Sequence, residues 1–429
     1  VSPLAGGNPS VARNMRHALQ AKVAERGACI MHPQRVAAPF SLTGLADKLE
    51  AKFGTFNASE PAAAQSARAE KMRKYLARRF QLSVVAHEMG HSVGLRHNFV
   101  GSSDAWQYRP QYWQLRTNNG KTVNPCANLV ADGSKCTGPR WHDPETKEEQ
   151  DNLIWMWMHS TVMEYPGDIS QDMLGLGVWD FAAVKLLYGD VATVSQDPKM
   201  VAGKGRAIAM MMKMDNFGGI LGMKPYALNM IGTPTPYHYS DMQRQLKLID
   251  KCSNVADINA FKPASWDETR EGKWDPLLDG MLVKVGGQYS RCEEYKVDYV
   301  PWTALRMPKT GEYSQVYRGG PSIDGKGRLR MPYGFGTDSW ADLGNLSVYR
   351  HDNGADAYEI FNFMITQQEV GHIFDNYRRG RQAFSVRDAV DRTLTRYNEK
   401  LRDGAKGLGL IRNIYAEVSY NSGYDFDSF

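Results

Sequence analysis

Over the first 80 residues apolar positions recur every three to four places. SVARNMRHALQAKVAERG, SLTGLADKLEAKFG and SEPAAAQSARAEKMRKYLARRFQ all follow this spacing and are rich in Ala, Leu, Arg and Lys. Three helices are therefore expected. The third continues into QLSVVA, the apolar lead-in that a buried helix needs. No period-two run of branched or aromatic residues precedes residue 87, so no strand is expected ahead of it. A further helical pattern, WDFAAVKLLYG, covers residues 179–189.

Beyond residue 190, GRAIAMMMKM, SDMQRQLKLIDKC, ADAYEIFNFMITQQEVGHIFDNYRRGRQAF and VRDAVDRTLTRYNEKL read as helices. MPKTGEYSQVYRGGPSIDGKGRLRMPYG reads as loop with room for a hairpin. Met210, Met211, Met212 and Met214 suit either core packing or the lining of a groove.

A length of 429 residues exceeds one ordinary core. Two domains are expected, 1–190 and a mainly helical 191–429. Hydrophobic residues make up 42% of the chain and there are 10 tryptophans, which fits a globular protein. No apolar run is long enough for a membrane-spanning helix. The net charge of +5 is spread along the chain instead of gathered in a stripe, which argues against nucleic-acid binding.

The densest chemistry lies in residues 87–97, HEMGHSVGLRH. On a helix His87 and His91 stand one turn apart on the same face and can reach one metal ion. Glu88 then falls beside the metal and is not a ligand. Gly94 lets the chain leave the helix through a left-handed conformation, so that His97 can return as a third nitrogen ligand. Three histidines on a tetrahedral zinc leave one position open, as catalytic sites do.

Residues 160–166 read STVMEYP, followed by LGLGVWDFAAVKLLYGD at 174–190. With these, the chain resembles the metzincin clan of zinc endopeptidases, in which HExxHxxGxxH is followed by a methionine-bearing turn beneath the metal. The order of segments is similar to that of the large bacterial secreted zinc-dependent metalloproteases. The resemblance implies an α+β zincin-like catalytic domain with one zinc on His87, His91 and His97 and Met163 as the turn methionine. It also implies hydrolysis of protein or peptide substrates by a zinc-activated water, with Glu88 as general base. Tyr165, two residues after Met163, matches a tyrosine that in astacin-like and serralysin-like members can approach the zinc or the oxyanion. Its alternative role is packing, with the hydroxyl satisfied by backbone.

The chain departs from this pattern in three ways. Asn98 follows the third histidine where subfamilies carry other residues, and the span from His97 to Met163 is long. Most consequentially, such domains carry a sheet ahead of the active-site helix, and this chain is mostly helical there. Either the fold departs from the family, or a polypeptide from upstream of Val1 supplies the strands; the second is the expectation.

Five cysteines allow a Cys126–Cys136 loop and a Cys252–Cys292 pair, with Cys29 left over. Paired cysteines together with a leader already removed would fit an exported protein, whether secreted, periplasmic or at the cell surface. His351, Asp352, Asp356 and Glu359 form an oxygen-rich cluster that could hold calcium. Two rival functions stay open: a catalytically silent scaffold or binding component of a larger assembly, and a zinc hydrolase of non-peptide acyl bonds.

Overall fold

A computed structural model describes residues 42–123, 145–195, 247–294 and 297–307, with short stretches and single positions at 243 and within 323–337, 350–366 and 385–402. The chain divides into two compact units, residues 1–37 and 38–429, and every described residue lies in the second.

Helix α1 (Leu42–Phe53) is followed by the 31-residue α2 (Ala62–Ser92). The Ala-rich opening of α2 follows Pro61, a residue whose fixed φ suits a helix start. At about 1.5 Å per residue, α2 is roughly 46 Å long. It closes at Val93, and Gly94 then takes φ +90° while the Leu95 N–H donates to the Gly90 carbonyl. Only a residue without Cβ makes that reversal cheaply.

After α2 come the short α3 (Pro110–Arg116) and α4 (Lys147–Asp151), and then α5 (Val178–Gly189). Strands appear only beyond α5 among the described residues. β1 (Val191–Ser195) pairs antiparallel with β5 (Val297–Pro301), and β2 (Ile249–Asn254), β4 (Gln288–Glu294) and β3 (Val283–Val285) form a second antiparallel sheet in the order β2-β4-β3. The chain is thus mixed α+β, with no described strand ahead of His87. No described helix is long and apolar enough to cross a membrane.

One expectation is corrected here. SDMQRQLKLIDKC was expected to be a single helix, yet its last residues start β2. The buried–exposed pattern of β2 has little regular period, and Lys251 has φ +43°. Pairing with β4, covalently fastened by Cys252–Cys292 with Cα atoms 3.9 Å apart, outweighs the weak local preference. Cys29, Cys126, Cys136, Met210–Met214 and Asp356 lie outside the described residues.

The main core joins distant segments. Leu45, Leu49 and Tyr75 pack with Trp113, Trp155, Trp157, Leu277, Val283 and Phe363. Buried charges within it are matched. The Lys52 ammonium pairs with Asp279, which also accepts from the Tyr75 hydroxyl at 3.0 Å and from Arg79 at 3.1 Å. Arg116 meets Glu149 at 3.4 Å and Glu359 at 3.2 Å. Such pairing is the condition under which charges survive burial.

Candidate metal centre

The C-terminal turns of α2 carry His87 and His91, and the reversal at Gly94 returns His97 to them. The His87 Nδ1 lies 2.6 Å from the Val162 carbonyl oxygen, and the His91 Nδ1 lies 3.0 Å from that of Leu95. A carbonyl can only accept, so both Nδ1 atoms carry the proton and both Nε2 atoms present lone pairs. The Nε2 atom of His91 is 3.1 Å from that of His87 and 3.2 Å from that of His97.

Lone pairs converging this closely repel one another unless a cation lies among them. Three nitrogens bonded to one tetrahedral zinc at ~2.0–2.1 Å stand roughly 3.3 Å apart, so the donor set fits. Burial, and to a lesser degree the neighbouring His91 and His97 rings, hold the His87 pKa below the ordinary value despite the opposing bond to Val162. That keeps the ring neutral and able to ligate. Among the described residues this is the one group of three or more His, Cys, Asp or Glu arranged to hold a metal ion. Glu88 lies outside the donor set and is exposed beside it.

Met163 is fully buried beneath α2, and its backbone carbonyl accepts from the Asn98 N–H at 3.0 Å. The turn that carries it is held by Asp180, in the first turn of α5. The Asp180 carboxylate accepts from the Thr161 hydroxyl at 2.5 Å, the Val162 N–H at 3.0 Å and the Gly177 N–H at 2.7 Å. Burial nevertheless raises its pKa, against the pull of those bonds. Asp180 therefore sets Val162, and the Val162 carbonyl sets the His87 ring.

Tyr165 stands against the histidines, its ring centroid 4.9 Å from that of His97 and 5.9 Å from that of His87. Asn98, noted in the sequence only as a departure, is buried and its amide bridges two strangers in sequence. It donates to the Gly334 carbonyl at 3.0 Å and accepts from the Gly336 N–H at 3.1 Å.

The expected calcium cluster is not supported. Asp352 accepts from the Ser102 hydroxyl at 3.0 Å, whereas Glu359 accepts from the Tyr112 hydroxyl at 2.9 Å and pairs with Arg116. His351 points its Nδ1 at the Pro166 carbonyl, 3.0 Å away. The three side chains are therefore spent on separate partners.

Beside the centre lies an apolar surface. On α2, Leu82 is 66% and Met89 62% exposed; on α5, Phe181 is 51% and Leu187 54% exposed. The Tyr188 hydroxyl of α5 donates at 2.8 Å to the carbonyl of Val93, the residue that caps α2.

A family model described as Met-zincin matches residues 68–114, from within α2 through all three histidines into α3. No curated protein and no solved structure matches the chain. The match supports a metzincin-type zincin, and together with the converging histidines it points to zinc as the metal.

Proposed function

We propose that the protein is a zinc-dependent endopeptidase. The observation that carries this reading is the convergence of three Nε2 lone pairs, two of them aimed by Nδ1–carbonyl bonds, with an exposed carboxylate next in sequence to the first. His87, His91 and His97 would hold the metal. A zinc ion so held acidifies water and polarises a carbonyl.

Glu88 is the base: it takes a proton from the attacking water as the new C–O bond forms, and returns it to the departing amine as the C–N bond breaks. Tyr165 is the nearby donor to the carbonyl oxygen as negative charge grows there. Retention of all three histidines and of Glu88 favours an enzyme over a silent scaffold. The Cys252–Cys292 bond supports an exported protein, since such bonds persist in oxidising compartments.

An extended substrate is commonly held by pairing with a strand edge, and no described residue ahead of His87 supplies one. We infer that a strand-bearing polypeptide outside the described residues covers the apolar face of α2 and α5, a surface of the kind that marks an interaction site. Native mass spectrometry tests this part: a fully active particle with the mass of this chain alone, in which that face stays open to solvent, overturns it.

The central experiment is hydrolysis of a mixed peptide library by zinc-loaded protein, with simple esters in parallel and zinc counted by elemental analysis. Peptide cleavage, with about one zinc per chain and complete loss under a chelator, is expected. Cleavage of esters alone, or activity without a transition metal, overturns the reading.

A further inference from the structure

We propose that His351 is a positioning residue that clamps Tyr165 beside the metal histidines; the proposal rests on the endopeptidase reading above. His351 comes from far along the chain and nothing in the HExxHxxGxxH pattern points to it. It reaches the methionine turn because residues 351–354 are pinned there at several points. The His351 Nδ1 donates to the Pro166 carbonyl at 3.0 Å. Asp352 accepts from Ser102 Oγ, and the Asn353 Oδ1 accepts from Gln171 Nε2 at 3.0 Å. Gly167 passes so close that a Cβ there would stand 2.5 Å from the Asp352 carbonyl oxygen.

His351 itself has φ +60°, a left-handed conformation that a non-glycine residue keeps only when its surroundings insist on it. That backbone turns the imidazole onto Tyr165. The two rings stack with centroids 5.4 Å apart and planes at 25°. The edges of His97 and Phe99 close on the same tyrosine at 4.9 and 5.2 Å, with planes at 65° and 64°. The Tyr165 ring is therefore gripped by one stacked ring and two edge contacts, geometries that aromatic pairs favour.

A phenol that must meet a charge only as that charge develops gains from being held in place beforehand. His351 supplies the stacked part of that hold, whereas His87 is tilted by 35° at 5.9 Å and His97 meets the ring edge-on. Arg350, one residue earlier, lies over the Phe99 ring with its Cζ 5.1 Å from the centroid, so the same segment steadies a second member of the grip.

The test compares full-length His351→Ala, His351→Phe, Tyr165→Phe and the Ala/Phe double variant. In protein carrying 13C-labelled tyrosine, Tyr165→Phe assigns the Tyr165 ring signal. His351→Ala should move that signal as the ring current of the stacked imidazole vanishes, and His351→Phe should keep a stacked-ring shift. This readout needs neither metal nor turnover. On peptide substrate, His351→Ala should lower kcat about tenfold with KM within about twofold. His351→Phe should recover most of that loss, and the double variant should be no slower than Tyr165→Phe. An unmoved Tyr165 signal, or a double variant whose losses multiply, overturns the proposal. If the wild-type protein cleaves no peptide, the endopeptidase reading fails, while the ring signal still decides whether His351 holds Tyr165.

Discussion

Gly90 and Met163 share one space: a Cβ on Gly90 would stand 2.3 Å from the Met163 sulfur. The glycine sits between the two helical histidines, so its missing side chain lets the methionine turn press up beneath them. Gly90→Ala should destabilise the protein by about 1–2 kcal/mol, the crowding outweighing the gain in helix propensity. Thermal melts of chelated protein would show this, and adding Met163→Ala should restore part of the loss. Met163→Leu alone should cost less than about 1.5 kcal/mol and leave zinc bound, whereas His97→Ala should release it.

Glu88→Gln should retain the metal and lose turnover by roughly a factor of a hundred to ten thousand, the range for removal of a general base. Zinc content by elemental analysis alongside kcat on one peptide checks both halves. Unchanged turnover would require another base.

Asp180→Asn should weaken zinc binding about 10- to 100-fold, as loss of a ligand-orienting partner does. Three donors converge on this carboxylate, and an amide would turn its own N–H towards one of them. The Val162 carbonyl would then shift away from the His87 Nδ1. Competition against a zinc chelator measures the effect; an unaltered affinity would show that Asp180 does not act through Val162.

Asp172 gives a pH signature. Burial raises its pKa to about 6, against the opposing bond from Ser83. Between its unfolded value near 4 and that folded value, the native state keeps a proton that the unfolded state has released. Stability therefore falls as pH rises through this window. Asp172→Asn should be more stable than wild type above pH 6, by up to about 2 kcal/mol after allowing for partial exposure, and near wild type at pH 4. Urea unfolding at both pH values decides it.

The metal histidines were legible because their geometry is local: a turn of helix, a glycine reversal and three more residues place all three. The helices Leu42–Phe53 and Ala62–Ser92 were legible in the helical period of residues 41–81. β2 was not, since Ile249–Asn254 acquire their conformation from a partner strand and a bridging cysteine about forty residues away. Asn98 stood out only as an oddity, because its partners Gly334 and Gly336 belong to a segment whose approach no local spacing encodes. His351 and Asp352 were grouped with Asp356 and Glu359 as one oxygen-rich cluster by proximity in sequence. Folding sends Asp352 to Ser102 and Glu359 to Tyr112 and Arg116.

The pinning of residues 351–354 onto the methionine turn bears on how small the working protein can be made. A polypeptide trimmed after α5 would retain every metal-binding side chain and Glu88, and would pass any search for the motif. It would also leave Pro166, Ser102 and Gln171 without these partners and take the stacked imidazole away from the Tyr165 ring. The same cut would strip Leu277, Val283 and Phe363 from the main core and Asp279 from Lys52, so possession of the motif and possession of a working centre would come apart on truncation, the second demanding residues up to at least 354.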